Sequence, residues 1–393
     1  MPTAISMPAR AAGAPYPRRM KTLACERCGL RVFFENVTCE RCGAALGFVP
    51  GEREMGAFEI DADGAWQRLR EGAAAQKPCH NYTSVQACNW MVPADSDETL
   101  CVSCQTTHIL PALSEPDNLV SWQLIEQAKR RLVYSLLSLG LPVRSKAVDP
   151  EHGVWFEFLQ ELQPGQRVLT GHDNGIITLN VSEADDARRE QTRTEMHEPY
   201  RTLLGHFRHE IGHYYWDLLV DGTPWLDEFR ERFGDERADY AQALQAHYAT
   251  PRADWPEQFV SAYASSHPWE DWAECWAHYL HVQDGLETAS AWGLQLASPG
   301  GEPVRAVALE PRDGAFEAAL IERWLPISQF INAMARSLGS HDAYPFVMPE
   351  PVVRKLEFVH RVVTATKSAE PPAPAPPNDT PAAAAASSEG PAP

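Results

Sequence analysis

The sequence predicts an α+β protein: an amphipathic helix, a small sheet with a hairpin, and two further helices, preceded by a cysteine-rich module. Three observations predict it. Apolar residues recur at spacings of three and four from Leu119 to Leu139, from Leu204 to Leu218 and from Trp269 to Leu280. Three strand-like runs separate the first two of these segments, and the last two runs flank Asp173-Asn174-Gly175, a strong hairpin signal. Eight of the nine cysteines precede residue 105, six of them in Cys-x-x-Cys pairs.

Composition narrows the class. With 393 residues, 44% of them hydrophobic, and 12 Trp, the chain can bury a sizeable core. A net charge of −19 argues against nucleic acid or an anionic membrane as the partner of the whole chain. The first 50 residues are locally basic, and solvated charge is the plainer reading of that patch. No stretch approaches the roughly 20 apolar residues of a membrane span. No apolar signal segment is found, and paired cysteines suit a reducing compartment, so a cytoplasmic location is expected.

The elements follow in order. Residues 1–20 are rich in Ala, Pro and Arg without periodicity and are expected to be disordered, as is the Pro/Ala-rich stretch 367–393. Residues 21–112 form a double zinc-binding module. Cys25, Cys28, Cys39 and Cys42 place four thiolates in two Cys-x-x-Cys-Gly turns, which fits one closed tetrahedral zinc of the zinc-ribbon type. Cys79, Cys88, Cys101 and Cys104 form a second four-cysteine site, with His80 as an alternate ligand. Both sites are saturated and structural. Cys275 stands apart, and a buried inert thiol is its plainer role.

Residues 113–366 carry the chemistry. A helix spans about Asn118 to Leu139, and strands cover Val154–Leu159, Arg167–Thr170 and Ile176–Val181. A long helix runs from about Pro199 to Val220, with Gly222 just beyond, and another from Ser266–Pro268 through His281. The first of these two contains His209-Glu210-Ile211-Gly212-His213. Residues four apart share a helical face, so both imidazoles can reach one zinc, and Glu210 stands beside them as the general base for a metal-held water. The third ligand is sought in Glu270-Asp271-Trp272-Ala273-Glu274. Glu270 and Glu274 share a face, so the first can bind zinc while the second accepts a hydrogen bond from a ligand histidine. Asp271 and Glu274 remain alternatives for the ligand. His278, one turn further on, is a candidate oxyanion stabiliser, as are Tyr214, Tyr215, Tyr279 and Tyr344.

His209–His213 followed by Glu-x-x-Ala-acidic resembles the gluzincin metallopeptidases. The chain is similar above all to zinc-binding metallopeptidases with an N-terminal zinc-ribbon domain, through Arg208–Trp216, Trp269–Glu274 and Tyr344-Pro345-Phe346. The resemblance implies a small zincin-like peptidase domain over 113–366. It implies one catalytic zinc on His209, His213 and Glu270, Glu210 as base, and Glu274 supporting a histidine, beside two structural zincs. Gluzincins more often carry Asp or Asn at the place of Glu274. By analogy with zincins, the strand Ile176–Val181 would receive the substrate by backbone hydrogen bonds. The expected function is hydrolysis of a peptide or protein substrate, with a protein partner conceivable at the ribbons. Two rivals are a zinc-ribbon interaction or regulatory protein with a weakly active domain, and a zinc hydrolase of non-peptide amides.

Overall fold

Two glycines shape the N-terminal module. Gly29 and Gly43 have φ of 69° and 70°, a region side chains disfavour, and their amides donate back to the carbonyls of Cys25 and Cys39 at 2.9 and 2.8 Å. The first turn joins β1 (Leu23–Ala24) to β2 (Arg31–Val32), which pair antiparallel, and the second leads into the next sheet. An antiparallel sheet follows, built from β3 (Ala45–Val49), β4 (Glu54–Ile60) and β5 (Trp66–Arg68). Between β6 (Gln76–Pro78) and β7 (Met91–Pro93) the chain makes one helical turn, α1 (His80–Thr83), immediately after Cys79. The computed structural model describes residues 22–161, 168–195, 198, 200–297, 303–306 and 316–368, so the expected extension at 1–20 lies outside the described residues.

The second module begins inside the first. β8 (Thr107–Ile109) starts three residues after Cys104 and pairs parallel with β9 (Trp155–Leu159). It lies on the cysteine side of the boundary expected at 112, yet it is an edge strand of the central sheet. The sheet order is β10 (Gly171–Asp173), β11 (Ile176–Asn180), β9, β8. Asn174 and Gly175, with φ of 46° and 73°, form the expected two-residue hairpin turn. That turn pairs Asp173 with Ile176, so the arm is Gly171–Asp173 rather than the expected Arg167–Thr170; residue 167 lies outside the described residues.

Helices cover the sheet. α2 (Pro116–Ser138) matches the expected first helix, and α3 (Asp186–Glu195) buries nothing. α4 (Leu203–Leu219) begins later than the expected Pro199, because the Thr202 side chain caps it by accepting from the Gly205 amide at 3.0 Å. Three helices absent from the sequence reading follow: α5 (Leu226–Phe233), α6 (Tyr240–Ala249) and α7 (Trp255–Gln258). α8 (Pro268–Ala291) starts with Pro in its first turn behind a His267 cap and extends past the expected end at His281. The chain continues through α9 (Phe316–Ala319), α10 (Leu325–Ser337) and α11 (Glu350–Ser368). α11 takes Lys367 and Ser368 from the expected tail into a helix; the remainder of that tail lies outside the described residues.

The core lies between sheet and helices. Phe156, Phe158, Ile177 and Leu179 pack with Trp122 and Leu132 of α2, Phe207 and Ile211 of α4, and Trp272 and Trp276 of α8, all fully buried. Each such large side chain contributes about 2–3 kcal/mol by leaving water. α4 and α8 meet at Gly212. A Cβ there would stand 3.0 Å from Ala273 Cα and 3.1 Å from Trp276 Cβ, so glycine permits the approach. Trp272 Nε1 donates to the Gly212 carbonyl at 2.9 Å, fixing the register of the two helices. No helix of the described residues is long and apolar enough to cross a membrane. The architecture is the mixed helix-and-small-sheet fold that the sequence predicts, behind a zinc-ribbon-like module.

Candidate metal centre

The α4–α8 contact brings three donor atoms together. His209 Nε2 lies 3.3 Å from His213 Nε2 and 2.9 Å from Glu270 Oε2, and His213 Nε2 lies 3.6 Å from the same oxygen. Four donors about 2.0–2.1 Å from a tetrahedral zinc stand roughly 3.3 Å apart, so this triangle has the size of one face of that polyhedron. The two imidazoles come from successive turns of α4, and Glu270 from the first turn of α8.

The other acidic candidates point elsewhere. Glu274 Oε1 lies 2.8 Å from His209 Nδ1, the nitrogen on the far side of the ring, and Ser261 Oγ donates to Glu274 Oε2 at 2.8 Å. Asp271 is buried on another face, where Lys355 Nζ of α11 meets its Oδ2 at 2.6 Å. Burial pushes the Asp271 carboxyl up to about 7 against the attraction of Lys355. The electrostatics of the His209 group suit a cation. Burial opposes a charge on His209, yet its hydrogen bonds to Glu270 and Glu274 hold its pKa well above the usual imidazole value. Burial likewise opposes ionisation of Glu270, but the charges of His213 and His209 keep its carboxyl well below the usual carboxylate range. Glu210, between the histidines in sequence, is raised by burial, with the neighbouring imidazoles opposing.

His278 does not join this group. It is buried, its Nδ1 stands 2.6 Å from the Tyr344 hydroxyl, and its ring packs on Phe346 at 4.3 Å between centroids. Tyr215 and Tyr214 hydroxyls donate to the carbonyls of Pro142 and His152, both at 2.7 Å, and Tyr279 pairs with His360. Two tyrosines that sequence reasoning missed stand closer to the centre. The Tyr263 ring lies 5.9 Å from His209, and the Tyr240 hydroxyl donates to Glu270 Oε1 at 2.6 Å. Neither belongs to an apolar stripe or a motif, so no periodicity marks them. The strand reading also needs correction. β11 lies between β10 and β9 and is paired on both sides over Ile176–Thr178, whereas β10 is an edge strand whose His172 ring stacks parallel to His213 at 6.2 Å.

The cysteines form two further groups. Cys25, Cys28, Cys39 and Cys42 converge, with Sγ–Sγ distances of 3.6 Å for Cys25–Cys42 and 3.5 Å for Cys28–Cys39. Cys79, Cys88, Cys101 and Cys104 also converge, with 3.7 Å between Cys88 and Cys101. A disulfide needs about 2.05 Å, while thiolates 2.3 Å from one zinc stand roughly 3.8 Å apart, so both sets fit a metal. Backbone amides of Trp90 and Cys101 donate to the sulfurs of Cys88 and Cys79, each at 3.3 Å. His80 lies outside the group that converges.

A mixed α+β fold, a zinc-ribbon module and a His-His-Glu group able to hold a metal between two packed helices agree with a family of zinc-binding metallopeptidases. The chain belongs to the family described as "putative zinc-binding metallo-peptidase", whose model matches residues 118–362, and a zinc-ribbon domain model matches residues 22–115. It is 44% identical over 346 residues to uncharacterized proteins of Mycobacterium tuberculosis (strain ATCC 25618 / H37Rv) and Mycobacterium bovis. The alignment covers 88% of this chain and 95% of each relative. No solved structure matches it.

Proposed function

We propose that this chain is a zinc-dependent peptidase in which His209, His213 and Glu270 hold the catalytic metal and Glu210 is the general base. The observation that carries the reading is the triangle of His209 Nε2, His213 Nε2 and Glu270 Oε2, with Glu210 on the same helix. Zinc bound there supplies a Lewis acid that acidifies water and polarises a carbonyl. The protein's own groups do the rest. Glu210, on the same helix as both histidines, accepts a proton from the attacking water and returns it to the leaving amine. Glu274 accepts the Nδ1 proton of His209, so that Nε2 keeps its lone pair for the metal, and Ser261 orients Glu274. The peptide lies along β10, the edge beside α4, by backbone hydrogen bonds. The two cysteine groups hold one structural zinc each within a module at 21–112. The peptidase domain spans 113–366 and takes β8 from that module. His278, whose Nδ1 stands 2.6 Å from the Tyr344 hydroxyl, is the candidate oxyanion stabiliser one turn beyond Glu274.

The test is hydrolysis of a broad peptide library by wild-type and Glu210→Gln protein, with zinc content measured on both. Glu210→Gln should keep its zinc and fold while losing hydrolysis. Equal cleavage by both proteins contradicts the mechanism.

A further inference from the structure

We infer that Tyr240 is a positioning residue for the metal centre: its hydroxyl occupies one oxygen of Glu270 and leaves the other for the metal. This rests on the reading of Glu270 as a ligand. The two carboxylate oxygens have different neighbours. Oε2 faces His209 Nε2 and His213 Nε2 at 2.9 and 3.6 Å, while Oε1 accepts the Tyr240 hydroxyl at 2.6 Å. The Glu270 side chain is 2% exposed, so bulk water is a poor substitute for that donor. A carboxylate with a strong donor on one oxygen binds a metal through the other, which limits Glu270 to one bond and preserves a position for water and substrate.

The surroundings hold Tyr240 in place. His267, which caps α8 by accepting from the Trp269 amide at 3.1 Å, meets the Ala238 carbonyl through Nε2, also at 3.1 Å. The Tyr240 ring stands edge-on to His267 with 5.2 Å between centroids. Asp239 caps α6 by accepting from the Gln242 amide at 2.9 Å. The start of α6 is therefore tied to the start of α8, the turn that presents Glu270. No other part of α6 needs to be rigid, and none of its residues is buried.

Tyr240→Phe removes only the hydroxyl, and Tyr248→Phe makes the same change at an exposed position of the same helix. Zinc affinity of the full chain is measured by competition with a chelator. In parallel, protein stripped of its weakest-held zinc is reloaded with cobalt and its visible absorption recorded. Tyr240→Phe should bind zinc roughly 10–100-fold more weakly. Its cobalt bands should lose intensity as Glu270 turns to chelate through both oxygens. Tyr248→Phe should match wild type. Unchanged affinity and an unchanged cobalt spectrum in Tyr240→Phe overturn the inference. So do equal losses in both variants, which trace the effect to helix packing. If wild-type protein and His213→Ala hold the same number of zinc ions, the ligand reading itself fails, and this inference with it.

Discussion

Glu274 of α8 lies 2.8 Å, oxygen to nitrogen, from Nδ1 of His209, on the opposite side of the ring from Glu270. One imidazole thus joins two of the three carboxylates of the acidic run, Glu270 at Nε2 and Glu274 at Nδ1. Glu270→Ala should strip the metal from this centre. Glu274→Ala should weaken it roughly 10–100-fold, and Ser261→Ala should weaken it less than Glu274→Ala does. Zinc competition assays give the order. If Glu274→Ala empties the site while Glu270→Ala leaves it filled, the two roles are exchanged by one helical turn.

Gly212→Ala should destabilise the protein and loosen the metal, although alanine favours a helix by about 1 kcal/mol. The added Cβ meets Ala273 Cα at 3.0 Å and Trp276 Cβ at 3.1 Å, and neither can swing aside. Overpacking of this kind costs about 1–3 kcal/mol. A thermal melt and a zinc titration of the variant check both effects. A melting temperature and zinc affinity at or above wild type would show that the helices can part freely.

The histidine motif was legible because spacing on a helix is local, and so was the cysteine turn with its glycine. Glu270 was harder. The sequence places three carboxylates within five residues, and only the packing of Gly212 on Ala273 decides which one faces the imidazoles. Tyr240 and Ser261 were not legible, since each acts through a single hydrogen bond across the chain from segments without periodicity. Pro199 suits a first helical turn and suggests an earlier start for α4, but the Thr202 cap sets it. Strand β8 has no signature in the sequence, because three residues beside a cysteine pair carry no alternating pattern.

Lys355→Met should destabilise the protein by about 3–5 kcal/mol, since it leaves Asp271 buried without its partner. Restoring an apolar match with Asp271→Leu in the same chain should recover most of that loss. A double-mutant cycle by denaturant unfolding measures the coupling. Simple additivity of the two changes would mean that the ion pair holds α11 to α8 no more firmly than ordinary contacts do.

The two cysteine groups should differ in their reach. Cys104 begins the turn into β8, where the Thr107 hydroxyl donates to Glu126 at 2.6 Å beside the buried Glu126–Lys129 pair. Cys104→Ser should therefore lower the stability of the whole sheet. Cys25→Ser should affect the first ribbon and leave the zinc on His209 and His213 in place. Calorimetry with zinc counting on each variant distinguishes them, and identical profiles would contradict the difference.

The central claim is most directly tested by anomalous diffraction at the zinc edge from crystals of the full chain purified without chelator. Three peaks are expected, two within the cysteine groups and one bounded by His209 Nε2, His213 Nε2 and a single oxygen of Glu270. Peaks confined to the cysteine groups, or a third peak bounded by Glu274 or Asp271 in place of Glu270, would contradict the account.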